Sequence, residues 1–245
     1  MKKIICGIAL VCLTANSAMA EQATSVKDST YGNLINTIAD DEYKVFMSGG
    51  ETMAIGNGVT DPLSASQLIS MYEKNELSAN KKLKDKLVRI KSVASEIGEN
   101  AMGQAYIRAD GENQFQNITL FVDGNDERIL DMEKGGKIDF LCKMDKYVMR
   151  TPFLKECVFT GDVAKKRKDV FLEGLLSEKI EYRYQAYFVS LYQSSKSEIA
   201  KYCTKSGTEC LKGVAKIFSD KKKQEEVLQA TNELVGDKKL PPLPF

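Results

Sequence analysis

The 245-residue sequence predicts an α+β fold, in which a helix leads into a small five-stranded β-barrel and an α-helical region follows. Three observations carry that expectation. Short alternating runs bounded by turn residues fill the stretch from Leu63 to Phe159. Two of those runs carry cysteines, Cys142 and Cys157. From Asp162 onward apolar residues recur instead at three- and four-residue intervals, the period of a helix lying on a core.

The first element is a leader. Met1-Lys2-Lys3 supplies a positive start, Ile4 to Leu13 an apolar run, and Ala18-Met19-Ala20 the small residues that a signal peptidase reads. Cleavage is expected near Ala20, so residues 1–20 form a signal peptide and the mature chain begins at Glu21. The apolar run is shorter than the roughly 20 residues of a membrane span. Cys12 follows Val11 inside that run, which argues against a lipid anchor, and no later segment reads as a span. The expected location is the bacterial periplasm or the secreted fraction. There, an even set of cysteines (Cys142, Cys157, Cys203 and Cys210) favours disulfides. Three connectivities exist, and local pairing, 142 with 157 and 203 with 210, is the simplest. A metal site finds no support in spacing, since the chain has no histidine and no Cys-x-x-Cys pair.

Residues 21–62 read as an N-terminal arm, partly ordered. Tyr31, Leu34, Ile35 and Ile38 form one short helical face ending near Asp40-Asp41, and Ser48-Gly49-Gly50 and Gly56-Asn57-Gly58 read as turns. The central module, 63–161, begins with a helix capped by Ser64 or Ser66, with Leu68, Ile69, Tyr72 and Leu77 near one face. Leu83 to Val93 then alternates, Val88 and Ile90 against Arg89 and Lys91, as a half-buried strand does. Ala105 to Arg108 and Ile118 to Val122 bracket the turn signal Asp110-Gly111. A helical or looped link, Glu127 to Lys134, is closed by Gly135-Gly136; the runs Ile138 to Cys142 and Leu154 to Phe159 complete the five strands. Five short strands with an irregular link between the third and fourth are the pattern of an OB-fold barrel.

On these residues the stretch from Leu63 to Phe159 resembles the exported OB-fold family described as tRNA-anticodon-like, or as OB-fold lipoproteins. The matching features are the helix with Tyr72 and Asn75, and Ala79-Asn80 ahead of Leu83-Lys84-Asp85-Lys86-Leu87-Val88. The glycine-closed Lys134-Gly135-Gly136-Lys137 and the paired Cys142 and Cys157 complete them. The family starts its first strand with a Tyr-Lys-Gly-Lys-like sequence; here Asp85 stands where glycine is common, and the lipobox frequent in the family is missing. The resemblance covers about two-fifths of the chain. It implies an OB fold and an exported small-ligand or protein-binding role, with no catalytic residues.

The α-helical region, 162–240, begins with Phe171, Leu172, Leu175, Leu176, Ile180, Tyr184, Tyr187, Phe188, Leu191 and Tyr192 along one long amphipathic helix. Further helices are expected from Lys196 to Tyr202, around Leu211 to Phe218, and around Val227 to Leu234. Cys203 and Cys210 flank the turn Ser206-Gly207. The aromatic stripe on the first helix reads as core, and residues 241–245 as a stiff extended tail.

Composition narrows the function. Without histidine, Ser-His-Asp and Cys-His mechanisms are excluded, and no phosphate-loop or metal-loop motif is present. No catalytic residue or cofactor is assigned, and the balance favours a binding protein over an enzyme. The formal charge is +1; loss of Lys2 and Lys3 with the leader leaves −1. That argues against nucleic acid as the partner, since phosphate neutralisation needs a basic domain. The basic runs Lys165-Lys166-Arg167-Lys168 and Lys221-Lys222-Lys223 have acidic neighbours and read as solvated faces. OB barrels bind across their second and third strands, which here contain or border Tyr106, Arg108, Asn117 and Thr119; Lys143 and Tyr147 are further candidates on the barrel. The expected partner is another protein or an envelope component. The alternatives are a cell-wall glycan hydrolase using paired carboxylates and, last, a single-stranded nucleic-acid module.

Overall fold

The computed structural model describes residues 28–177 and 179–241. The predicted leader and all but the first residue of the predicted tail lie outside the described residues. Among the described residues the chain divides into two compact units, one of residues 42–170 and one of residues 28–41 with 171–177 and 179–241. The division falls within two helices, α1 (Ser29–Ser48) and α5 (Thr160–Leu176).

The β unit opens with helix α2 (Ala65–Lys74), started by a capping box. The Ser64 hydroxyl accepts from the Gln67 N–H at 3.1 Å, and the Gln67 side chain accepts from the Ser64 N–H at 2.8 Å. Ala65, Leu68, Ile69 and Tyr72 are buried beneath it. The predicted stripe stops there, because Asn75 is extended and caps a new helix, α3 (Glu76–Leu83). Leu77 therefore points to solvent, 83 % exposed, instead of joining Tyr72. Leu83 likewise ends a helix and does not start a strand. The turn that follows holds Asp85 at φ 59°, the left-handed conformation that glycine adopts at no steric cost.

The sheet has six strands, against the five expected: β1 (Val88–Val93), β2 (Glu96–Glu99), β3 (Ala105–Asp110), β4 (Asn117–Val122), β5 (Lys137–Val148) and β6 (Thr151–Phe159). Their order is β1-β5-β6-β4-β3-β2. The extra strand continues the predicted first one after a corner at Ala94-Ser95. The two edge strands are thus neighbours in the chain, which requires the sheet to curl. The link containing α4 (Glu127–Leu130) ends in Gly135 and Gly136, which bond the two sides of Ala94 (Gly135 N–H to Ala94 O 2.8 Å, Ala94 N–H to Gly136 O 2.9 Å). β4 and β6 run parallel and all other pairs antiparallel. The outer edge of β1 is covered by Gly58–Leu63, through four backbone bonds of 2.9 Å each, so it does not present an unpaired ladder.

One face of the curled sheet and α2 enclose the core, which includes Leu68, Ile90, Ile107, Leu120, Phe140 and Leu154. Cys142 and Cys157 are buried in it as a disulfide. β5 and β6 are joined by Met149 and Arg150, both with positive φ (49° and 65°). A two-residue turn of this hand prefers Asn-Gly, so Met149→Asn with Arg150→Gly is expected to raise stability by about 1 kcal/mol. A urea melt at unchanged m-value checks it; an unmoved midpoint would show the turn is not strained.

The N-terminal arm corrects a second expectation. Its helix does not end near Asp40-Asp41 but continues as α1 to Ser48. The added turns have work within the β unit: the Glu42 carboxylate accepts the N–H groups of Met53, Ala54 and Ile55 at 2.9–3.2 Å, and Phe46 is buried with Ile55, Leu141 and Ala164.

In the helical unit, Tyr31, Leu34 and Ile35 of α1 are fully buried, and the Tyr31 ring meets Tyr192 edge-on at 5.5 Å. The predicted long helix is broken. α5 ends at Leu176, and α6 (Arg183–Tyr202) begins after a bend in which Gln185 donates to the Ser177 carbonyl at 2.7 Å. The helix expected separately from Lys196 is the end of α6, beyond non-helical Ser195 (φ −129°, ψ 19°). α7 (Thr208–Ser219) and α8 (Lys221–Val235) follow. Phe188 and Tyr192 of the aromatic stripe are buried as expected, and Tyr187 stacks on Phe218 at 6.3 Å. The Cys203–Cys210 disulfide spans the turn between α6 and α7.

Candidate functional site

Strand alternation builds the site. On β3, Ile107 and Ala109 enter the core, so Tyr106 and Arg108 stand on the opposite face. On β4, Ile118 and Leu120 point inward and leave Asn117, Thr119 and Phe121 opposite. The register aligns these sets, pairing Tyr106 with Phe121, Arg108 with Thr119 and Asp110 with Asn117. Parallel β6 extends the Thr119 row to Phe153, and β5 places Lys146 beside it. The result is a continuous outward surface across four strands. The Phe121 and Phe153 rings stack at 6.3 Å, and the Lys146 ammonium lies 5.4 Å from the Phe153 ring.

At the β2 side the surface is ordered by one acid. Glu96 accepts from the Tyr106 hydroxyl and from Arg108 Nη1 at 2.8 Å. The hydroxyl end of Tyr106 sits against Gly98, where a Cβ would fall 3.1 Å from the hydroxyl and the ring would have to shift by a few tenths of an ångström. Arg108 in turn covers the Tyr106 ring at 5.1 Å. The Tyr106 bond, with help from Arg108, holds the Glu96 carboxyl below the usual range, and the same bond raises the Tyr106 hydroxyl. These groups are exposed, so the ion pair adds little stability; its effect is to hold a ring and a guanidinium in fixed poses. Arg108 Nε is buried and has no partner among the described residues. A groove of about 1050 Å³ adjoins this surface, bordered by Phe121, Lys146, Lys155 and Gln104.

Of the sequence-derived candidates, Tyr106, Arg108, Asn117 and Thr119 thus share one face, Thr119 nearly covered by its neighbours. Tyr147 does not join them: it stacks on Tyr72 of α2 at 4.5 Å and packs on the core side. Lys143 lies further along β5, paired with Glu156 at 2.6 Å. Phe121, Phe153, Lys146 and Glu96 were not anticipated. Phe121 carried a usable signal, two residues beyond Thr119 on the same strand. Phe153 carried none, since it arrives through long-range pairing with β4; Lys146 is placed by its hairpin partner Phe153, and Glu96 lies on a strand with weak sequence character.

Among the described residues, no group of three or more acidic or cysteine side chains is placed to hold a metal ion, and no helix is long and apolar enough to cross a membrane. A family model described as tRNA_anti-like matches residues 1–158. Comparison with curated proteins returned no match.

Proposed function

The chain belongs to the tRNA_anti-like family, and from that premise we propose that it is an exported, non-catalytic binding protein. In this reading the mature chain starts at Glu21 and acts in the periplasm or the secreted fraction. Its partner is another protein or an envelope component, held on the outward face of β3, β4 and β6. The observation that carries the reading is the continuous row of Tyr106, Phe121 and Phe153 with Arg108 and Lys146 on adjacent strands. Rings and guanidinium groups held in place lose little entropy on binding and dominate interface energetics. The Glu96 contacts supply that holding here. The leader and the two disulfides support export, because both pairs suit an oxidising compartment.

The test is recovery of a partner from periplasmic extract by the tagged mature protein and by its Tyr106→Ala/Arg108→Ala variant. The double variant is expected to lose about 2 kcal/mol or more of binding, over tenfold in recovery. Equal recovery by both proteins would remove this face from consideration. N-terminal sequencing of the fractionated protein tests export separately; an uncleaved chain in the cytoplasm would end that part of the proposal. The same rings and cations would also suit single strands, so binding to a single-stranded oligonucleotide that falls steeply with salt would replace the protein partner with nucleic acid.

A further inference from the structure

The β unit has a second cleft of about 960 Å³, walled by the Asn80–Leu87 segment, the Asn57–Gly58 loop, β5 and Arg167 of α5, and meeting the first groove at Leu87, Lys143 and Asp145. Small-molecule sites occupy roughly 300–1,000 Å³. Buried and half-buried apolar side chains line part of it, among them Tyr72, Leu83, Leu87 and Met144. Its charge is one-sided. Lys81, Lys84 and Lys86 line it and make no ion pair among the described residues. The left-handed turn at Asp85 brings Lys84 and Lys86 to the same cleft. On the β5 wall the charges are already engaged, Lys143 with Glu156 at 2.6 Å and Asp145 with Lys155 at 2.9 Å. Arg167 was expected on a solvated helix face, but it is half-buried here and donates to the carbonyls of Ile55 and Asn57 at 2.7 Å each. Three unpaired ammonium groups, with a guanidinium at the wall, therefore face one unengaged carboxylate, Asp85.

We propose that this cleft binds a small organic anion, a phosphate or carboxylate group carried on an apolar body. Gathered like charges repel, and an anion entering between them relieves that repulsion, while the apolar part of the cleft wall strengthens the field there. The apolar lining accommodates the remainder of the ligand. An ammonium group recognises either anion as a point charge, so the shared chemistry is the anionic group and the source is left to the competitors. Lys81, Lys84 and Lys86 line this cleft and not the groove beside the β3–β4–β6 face, so the two proposals are tested by separate variants.

The probe is 1-anilinonaphthalene-8-sulfonate, an anion on an aromatic body, titrated into the mature protein and read by fluorescence. Saturable binding at one site is expected, weakening as salt rises from about 50 to about 300 mM. Inorganic pyrophosphate and citrate serve as competitors; stronger displacement by one assigns phosphate or carboxylate. Lys84→Glu/Lys86→Glu is expected to weaken the probe by tenfold or more, and the milder Lys81→Gln/Lys84→Gln by about threefold. These lysines are exposed, and thermal unfolding confirms that each variant is folded; the milder pair keeps the test decisive if the reversal does not fold. Tyr106→Ala/Arg108→Ala should leave the probe unaffected. Absence of saturable binding, equal binding by wild type and both lysine variants, or displacement by neither competitor would overturn the proposal. Loss of the probe in the Tyr106/Arg108 variant would overturn it as well, and move the site to the other face.

Discussion

Replacing Arg89 by methionine is expected to destabilise the β unit by about 3–5 kcal/mol, seen as a fall of roughly 10 °C in its thermal midpoint. Arg89 is 1 % exposed, on the strand face that alternation assigned to solvent. Its Nε and Nη2 donate to the two oxygens of Asp139 at 2.9 and 2.6 Å. Nη1 donates to the Phe46 carbonyl at 2.5 Å and Nη2 to that of Met47 at 3.0 Å. Those carbonyls belong to the last turn of α1, where the dipole favours a cation; Phe46 O also accepts the Gly49 N–H at 2.9 Å. Methionine fills comparable volume but takes away the fork on Asp139, which keeps only the Thr160 hydroxyl, and the donors to the Phe46 and Met47 carbonyls, of which Phe46 keeps only the Gly49 N–H. Arg89→Lys keeps the charge and loses the fork, so a smaller loss, about 2 kcal/mol, is expected.

The same tie has a pH signature. Burial pushes the Asp139 carboxyl up, but hydrogen bonds from Arg89 and Thr160 outweigh it and hold the group below its ordinary range. A carboxyl depressed in the folded state contributes stability above its unfolded pKa, near 4, and loses it as pH falls through the lower folded value. Wild type should therefore weaken on acidification through that window. Arg89→Met should show a shallower acid limb, because the depressing partner is gone. Urea melts at several pH values check this; a variant within about 1 kcal/mol of wild type at neutral pH would show that α1 is held by other contacts.

Removing the Cys142–Cys157 disulfide as a double alanine variant is expected to cost about 3 kcal/mol, and removing Cys203–Cys210 about 2. The difference follows from loop length, since the pairs are separated by 15 and 7 residues and a longer closed loop removes more entropy from the denatured chain. All four cysteines are buried, so alanine leaves unfilled volume at either bridge and loop length sets the order. Denaturant melts of the two variants, and of wild type with reductant, should give this order. The reverse order would show that folded-state strain, rather than chain entropy, governs the bridges.

The site was legible only where one strand sufficed to place a residue. Tyr106 and Arg108 are two apart on β3, as are Asn117 and Thr119 on β4, and alternation puts each pair on a common side whatever the rest of the chain does. That the two pairs face the same way depends on the register, Arg108 opposite Thr119, across the connection 111–116. Phe153 and Lys146 reach the surface through pairings with partners 34 and 7 residues away in sequence. No local period reports such pairings. Tyr147 was misplaced because β5 is longer than its apolar run, and the bulges along it shift the register with β6. Glu96 was missed because Glu-Ile-Gly-Glu has little strand propensity; it is a strand because β3 offers it a ladder.

By itself the sequence determined the α+β class, five of the six strands and the capped helix ahead of them, and made local pairing the simplest of three for the cysteines, which the structure then chose. All rest on periodicity, capping chemistry or short separations, which act within a few residues. Tertiary structure decided the rest. It split the first strand at Ala94-Ser95, carried α1 past Asp40-Asp41 to Ser48, and broke the long helix after Leu176. It also turned Arg89 from a solvent-facing strand residue into a buried tie. Each of these depends on an acceptor, a ladder or a packing surface supplied from far along the chain, and such partners override local preference without leaving a mark in it.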